Sequence, residues 1–326
     1  MLKTPICDEL GIKYPIFLAG MGGVSMAELV AAVSNAGGMG FLGAAVLDAK
    51  GLKEEIKKVR SLTDKPFAID LLMPMGMEIN PIMKVIYESG VKGFVAGLSV
   101  PTETIKECKK NGIKVFCMIG KVKHALKAVE AGSDYVVAQG TEAEGHTGNI
   151  ATMALVPQVV DAVNLPVIAA GGIADGRGLV ASLALGAQGV VIGTRFIATK
   201  EARGGKLYKD ELIKATEDDT IISRSGTGKT MRMLKTDYVM EWERDPKKIA
   251  PFPQQAMITL QRKAMNFIAT GEVQDPKREV LPAGQITGMI KDVRGAGEIM
   301  KEIVAQAEEI LKNNVTGMFR KEKAKA

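Results

Sequence analysis

Residues 166–195 read PVIAAGGIADGRGLVASLALGAQGVVIGTR and combine two short apolar runs with glycine-rich turns. Residues 166–170 and 189–192 are almost entirely apolar, which is typical of parallel strands buried on both faces of a sheet. Between the runs, residues 178–185 have helical spacing, and Gly186 ends that helix. The stretch therefore predicts one strand–helix–strand unit.

The same unit recurs along the chain before residue 193. The runs are separated by about 20–30 residues, the length of one strand plus one helix. The eight runs are residues 15–18, 39–42, 67–71, 93–96, 114–118, 135–138, 166–170 and 189–192. Eight alternating units favour an α/β fold that closes into a (β/α)8 TIM barrel, and a doubly wound open sheet is the alternative.

The alternation of predicted strands and helices stops after the eighth run. Residues 201–282 are charged and Met-rich, have helical stretches and show no clear strands, which predicts a small helical lid or substrate subdomain inserted after strand 8. Residues 295–312 form an amphipathic pattern that predicts the eighth barrel helix. The barrel domain is thus expected to comprise residues 1–200 and 283–315, followed by a basic tail at 316–326.

The composition is that of a folded globular protein, with 46% hydrophobic and 25% charged residues among 326. The net charge of +6 is spread among acidic residues, which indicates solvated helix faces rather than a nucleic-acid surface. The three cysteines are scattered without metal-ligand spacing, which indicates a reducing compartment. No secretory signal or membrane-length apolar run is evident, so the expectation is a cytoplasmic protein with neither membrane nor nucleic-acid partners.

Glycines follow the seventh and eighth runs, where a TIM barrel often binds phosphate. Gly171 and Gly172 follow the seventh run, and Gly193 and Thr194 follow the eighth. Glycine lets backbone N–H groups approach phosphate oxygens closely, and the threonine hydroxyl can donate a further hydrogen bond. The simpler interpretation is that these glycines only make tight turns. Their occurrence on both loops favours a phosphate site.

Three other loops at the same end of the barrel carry candidate site residues. His146 lies between Gly145 and Gly148 after the sixth run, and its imidazole can act as a base or hydrogen-bond donor near neutrality. His124, the only other histidine, lies on a predicted helix and is interpreted as structural or solvent-facing. The remaining candidates are the loop of Gly20, Met21 and Gly22, whose backbone can lie along an aromatic ring, and Asp70, a carboxyl in an apolar strand.

Two glycine motifs lack the context of nucleotide-binding fingerprints. Residues 38–43 fit GxGxxG but lead into a strand instead of joining a strand to a helix. Residues 225–230, SGTGKT, resemble a phosphate loop, but Ser223 occupies its upstream glycine position and no strand is predicted before it. Neither motif is assigned a function.

Several motifs together resemble the family of nitronate monooxygenases (formerly 2-nitropropane dioxygenases), which also includes FMN-dependent enoyl-acyl-carrier-protein reductase II and a related NADH:quinone reductase. The resemblance covers nearly the whole chain and is thin over about residues 200–275. The matching segments are YPIF at 14–17, SNAGGMG at 34–40, LTDKPF at 62–67, EAEGHTG at 142–148, AGGIADGRG at 170–178, GTRF at 193–196 and AGQ at 283–285.

The resemblance implies an FMN-containing barrel in which His146 is the active-site histidine. Gly20 and Met21 would lie against the isoalloxazine ring, and Gln139 would lie near the ribityl chain. The phosphate would be held by Gly171, Gly172, Gly193 and Thr194, and Gln285 would approach the flavin from the helical segment. Relatives often have Asn where Asp70 stands, and many have Gly or Ala where Glu144 stands, so both positions depart from the family pattern.

Three functions are compatible with these residues. The first is a nitronate monooxygenase that oxidises alkyl nitronates with O2. The second is a reductase of an enoyl thioester or a quinone, with NADH or NADPH as co-substrate. The third is a non-redox barrel that binds a sugar phosphate or nucleotide. The expected partner is a small-molecule substrate, and the apolar lid helices would also allow a homodimer.

Overall fold

In the computed structural model, which describes residues 2–72 and 79–315, eight parallel strands form a closed barrel. β8 pairs with β1, with Val190 opposite Ile16, so the open-sheet alternative is excluded. The barrel strands are β1 Ile16–Leu18, β2 Met39–Gly43, β3 Phe67–Leu72, β4 Gly93–Gly97, β5 Lys114–Ile119, β6 Tyr135–Gln139, β7 Val167–Ala170 and β8 Gly189–Ile192.

Aromatic side chains fill the barrel interior. Phe17, Phe41 and Phe116 pack together, and the Phe116 and Tyr135 rings stack with centroids 4.5 Å apart. The helix Pro5–Leu10 buries apolar side chains in the same cluster. This interior is therefore a packed core, and binding sites are restricted to the loops at the strand ends.

The helices between the strands bury one apolar face against the sheet. They span Ala27–Asn35, Ala49–Leu62, Asn80–Ser89, Thr102–Lys110, Val122–Ala131, Thr152–Ala162 and Gly176–Ala184. Met26 occupies the N-cap of the first of these helices, and no side chain bonds there. The neighbouring Ser25 hydroxyl accepts a 2.7 Å hydrogen bond from Met21 N, so it shapes the loop after β1.

The α-helix Ala296–Glu309, which a π-helical segment at Ile310–Val315 follows, is the predicted eighth barrel helix. It packs against Gly176–Ala184 and Ala27–Asn35, the helices that follow β7 and β1. The contact is close at Gly176, where an added Cβ would lie 2.5 Å from Ala307 N and 2.7 Å from Ile303 O. This helix therefore completes the outer layer beside β8.

Replacing Gly176 with alanine is expected to lower the free energy of unfolding by about 1–3 kcal/mol, because the new methyl group meets backbone atoms that cannot rotate away. Urea unfolding followed by circular dichroism measures the effect. Gly297→Ala is the matched control, since a Cβ at Gly297 meets no atom within 4 Å. An unchanged unfolding midpoint for Gly176→Ala would show that the two helices do not pack this closely.

The insertion after β8 is mostly helical but also contains a β-hairpin, so the expectation of no clear strands there was wrong. Its helices are Gly205–Lys214, Asp237–Glu243, Gln254–Gln261 and Asn266–Thr270, and the hairpin strands are Thr220–Ser223 and Met231–Leu234. The second hairpin strand also pairs with Gly145–His146 in the loop after β6. The hairpin thus ties the insertion to the barrel mouth.

None of the helices among the residues described has the length and apolar character needed to cross a membrane. The predicted basic tail at 316–326 lies outside the described residues.

Candidate active site

The loop after β1 rests on the carboxyl of Asp70. An added Cβ at Gly20 would lie only 2.1 Å from the Asp70 Cβ, so no other residue fits there without movement. No described residue donates a hydrogen bond to the Asp70 carboxylate, and burial raises the pKa of this carboxyl to about 8. The site therefore has a largely protonated carboxyl below Gly20 at neutral pH.

The loop after β7 has two consecutive glycines in the left-handed region. Gly171 has φ +96° and Gly172 has φ +73°. Neither amide donates a hydrogen bond to another described residue. An added Cβ at Gly171 would lie 3.0 Å from Gly140 O and 3.1 Å from Ala143 N, so this turn packs tightly on the loop after β6. Adjacent free N–H groups in such a turn form a concave anion site.

Thr194, in the loop after β8, contacts the carboxyl of Glu144, which belongs to the loop after β6. The sequence does not predict this contact. Thr194 Oγ1 donates a 2.6 Å hydrogen bond to Glu144 Oε2 and accepts a 3.0 Å bond from Gly284 N. The other oxygen, Glu144 Oε1, is buried without a hydrogen-bond partner and lies 2.2 Å from where a Cβ on Gly193 would stand. Burial raises the pKa of the Glu144 carboxyl to about 8, and the Thr194 bond opposes that shift.

His146 is held by the insertion. Its Nε2 lies 2.8 Å from Thr227 Oγ1, and the loop is tied further by a bond from Thr230 Oγ1 to Thr147 O. Burial, followed by the charge of Lys229, lowers the pKa of His146 to about 4. The imidazole is therefore neutral at physiological pH.

The SGTGKT segment, to which the sequence assigns no function, thus contributes Thr227 and Lys229 to the surroundings of His146. It is not a phosphate loop in the structure, because Thr227 bonds to the imidazole and Lys229 Nζ lies 5.0 Å from the Phe252 ring centroid. A glycine-rich turn containing a hydroxyl residue was the only signal in the sequence, and it does not identify the partner.

The other predicted site residues differ in their burial and in the residues that they contact. Gly22 is close to Val46, and Met21 packs on the core below the loop. Gln139 is half-buried at the end of β6. The backbone N–H of Gln285 donates a hydrogen bond to Glu142 O, and the side chain of Gln285 is exposed.

Glu142 is a structural residue that the sequence analysis missed. Its carboxylate accepts hydrogen bonds from Thr152 N, at 3.1 and 3.0 Å, and from Thr152 Oγ1, at 2.9 Å. It therefore caps the helix Thr152–Ala162 and fixes the first part of the loop that carries Glu144 and His146.

A cavity of about 410 Å³ opens beside the loop after β1, within the size range of small-molecule sites. Arg203 in its wall pairs with Glu55 at 2.9 Å and Glu28 at 3.7 Å, so its charge is neutralised by carboxylates. The lining residues are Gly23, Met26, Val46, Leu47, Arg203 and residues 268–271.

The rim after β7 and β8 fits the phosphate that FMN carries. Gly171 and Gly172 have unengaged N–H groups, and Thr194 has a hydroxyl directed at an acidic oxygen. The space beside Gly193, where a Cβ would lie, is occupied by Glu144 Oε1 and by no backbone atom. The short helix Thr194–Ile197 is not needed for this fit, because the donors are the hydroxyl and the loop amides.

Comparisons with known proteins agree on one family. The family model described as Nitronate monooxygenase matches residues 3–91 and 79–306. A probable nitronate monooxygenase of Staphylococcus saprophyticus is 34% identical over 95% of this chain and 99% of its own. An indene-carboxyl-CoA dehydrogenase of Rhodococcus jostii is 41% identical over 74% of this chain and 68% of its own. The structure of FabK from Thermotoga maritima superposes with a TM-score of 0.88 at 33% identity, covering 98% of this chain and 100% of that one.

Proposed function

Because this chain belongs to the nitronate monooxygenase family, we propose that it is an FMN-dependent oxidoreductase that oxidises alkyl nitronates with O2. The observation that carries the proposal is a neutral, half-buried histidine with a lysine near enough to lower its pKa, on the loop after β6. The match to the Staphylococcus relative over nearly both full lengths supports the same reaction class.

The residues proposed to hold FMN are those of the glycine loops. Gly171, Gly172 and Thr194 supply hydrogen-bond donors for the phosphate, and Gly193 leaves room for it. The Gly20–Gly22 loop offers a flat backbone for the ring, with Gln139 at the end of β6 toward the ribityl chain. When bound, FMN supplies the electron transfer, and the protein supplies position and polarity.

The low pKa of His146 favours a nitronate over a neutral nitroalkane as substrate. An imidazole with a pKa of about 4 is a weak base for removing a proton from carbon. A nitronate is already the conjugate base, so the protein needs only to bind and orient an anion. The Lys229 charge attracts such an anion, while the neutral imidazole can hydrogen-bond to it.

A second candidate is reduction of an acyl thioester or a quinone with NADH or NADPH. The observations that favour it are the FabK superposition over the whole chain and the higher identity to a relative named as a carboxyl-CoA dehydrogenase. The rim itself would hold the flavin phosphate in the same way for either reaction. The two functions therefore differ in the electron donor.

Anaerobic mixing of the FMN-loaded protein with candidate donors separates the two functions. We expect an alkyl nitronate such as propyl-2-nitronate to bleach the flavin absorbance rapidly, and NADH or NADPH to bleach it much more slowly. Readmission of O2 should restore the spectrum. Fast bleaching by a nicotinamide, with none by the nitronate, would replace the proposed reaction with the reductase.

A further inference from the structure

The carboxyl of Glu144 occupies the position in which a phosphate would meet Thr194. Its Oε2 accepts the only hydrogen bond that the Thr194 hydroxyl donates, at 2.6 Å. Its Oε1 fills the space above Gly193 that the absence of a side chain leaves open. A phosphate bound by Thr194 and Gly193 must therefore use the same donor and the same space.

Only one of the two oxygens of the Glu144 carboxyl is hydrogen-bonded to the rim. Oε1 is buried but has no hydrogen-bond partner, which is costly for a carboxyl oxygen. A structural carboxylate at this depth normally has all its oxygens satisfied, as the Glu142 carboxylate does with three bonds from Thr152. Glu144 is thus bound at one oxygen only and is replaceable by a better acceptor.

Charge strengthens the competition at alkaline pH. Above about pH 8, where the Glu144 carboxyl is ionised, a phosphate next to it would place like charges within a few ångströms in a buried site. Among the described residues, Glu144 has no cationic partner within salt-bridge distance. Tyr208 contributes only an electrostatic interaction with it. Nothing at this rim offsets a second negative charge.

We propose that Glu144 is an internal competitor for the phosphate of FMN: its carboxyl occupies the Thr194–Gly193 cradle, and the phosphate must displace it to bind. This inference rests on the proposed function only in naming FMN as the source of the phosphate. The pairing of Gly145–His146 with Met231–Leu234 holds the backbone next to Glu144, so we expect displacement to move the side chain. Glu144 therefore lowers the affinity of the site for FMN and leaves riboflavin, which lacks the phosphate, unaffected.

The test is a titration of the FMN-stripped protein with FMN and with riboflavin at neutral pH, followed by flavin fluorescence. Glu144→Ala is expected to tighten FMN binding by at least about tenfold and to change riboflavin binding by less than about twofold. Glu144→Gln keeps the shape, and because the wild-type carboxyl is largely protonated at neutral pH, it should change FMN binding by less than about twofold. Glu103→Ala, the loss of an exposed carboxylate on the helix Thr102–Lys110, is the control and should change neither affinity.

Unchanged or weaker FMN binding in Glu144→Ala would overturn the proposal, as would equal tightening of riboflavin. Thermal denaturation with inorganic phosphate separates failure of this inference from failure of the FMN assignment. If no variant binds FMN but phosphate stabilises Glu144→Ala and not the wild type, the competition is real and the flavin assignment is wrong. If no variant responds to FMN or phosphate, both are rejected.

Discussion

Replacing His146 with alanine is expected to lower turnover of the nitronate by roughly 100-fold or more, because the imidazole that orients the substrate is lost. FMN should stay bound, since His146 lies on the loop after β6 and none of the predicted phosphate donors depends on it. Steady-state oxygen consumption measures turnover, and the absorbance ratio of flavin to protein measures the bound cofactor.

His124→Ala is the matched control, because His124 lies half-buried on the helix Val122–Ala131 and not on the loop that carries His146. Its turnover should equal that of the wild type. The same variant leaves His146 as the only histidine, so its imidazole resonance can be followed by NMR. A pKa lowered to about 4 means that this resonance should not shift between about pH 5.5 and 8. A titration near pH 6.5, or unchanged turnover in His146→Ala, would contradict the assigned role.

Replacing Gly193 with valine is expected to abolish stoichiometric FMN binding, with a loss of affinity of roughly 100-fold or more, because the side chain fills the phosphate cradle. The fold should tolerate the change better than a change at Gly171 or Gly172. Gly193 has a negative φ of −110°, whereas the other two are in the left-handed region. The atom closest to its added Cβ is the end of the flexible Glu144 side chain.

Fluorescence titration of Gly193→Val with FMN, beside circular dichroism of the same sample, distinguishes loss of the site from loss of the fold. Gly297→Val provides the control, since the space around Gly297 is open, and it should retain wild-type affinity. A Gly193→Val protein that purifies with one FMN per chain would show that the phosphate lies elsewhere. The opposite effects expected for Gly193→Val and Glu144→Ala together identify the cradle.

The family of the chain and the positions of its glycine loops could be predicted from sequence because each depends on local pattern. Gly171, Gly172 and Gly193 follow apolar strands, and the structure places these strands side by side in a closed barrel. The sequence does not predict the hairpin of residues 220–234. Each of its strands has only four residues, and the second strand pairs outside the hairpin with the His146 loop and not with a barrel strand. Alternation over so few residues gives little signal.

The partners of the site residues could not be predicted. Glu144 and Thr194 are 50 residues apart in the chain, and His146 and Thr227 are 81 apart. No local pattern records which of the many hydroxyl and carboxyl groups in the loops meet. The role of Gln285 stays a prediction, because it comes from the family resemblance, and an exposed side chain does not test an approach to the flavin.

By itself, the sequence determined that the chain alternates strands and helices eight times, that its rim is rich in glycine, and that His146 lies on that rim. These features follow from apolar periodicity and from backbone conformations that glycine permits, and both are encoded within a few neighbouring residues. Only the tertiary structure decided that His146 is neutral and that the Glu144 carboxyl occupies the phosphate cradle. Burial and distant charges set both, and these exist only after segments far apart in the chain have packed together.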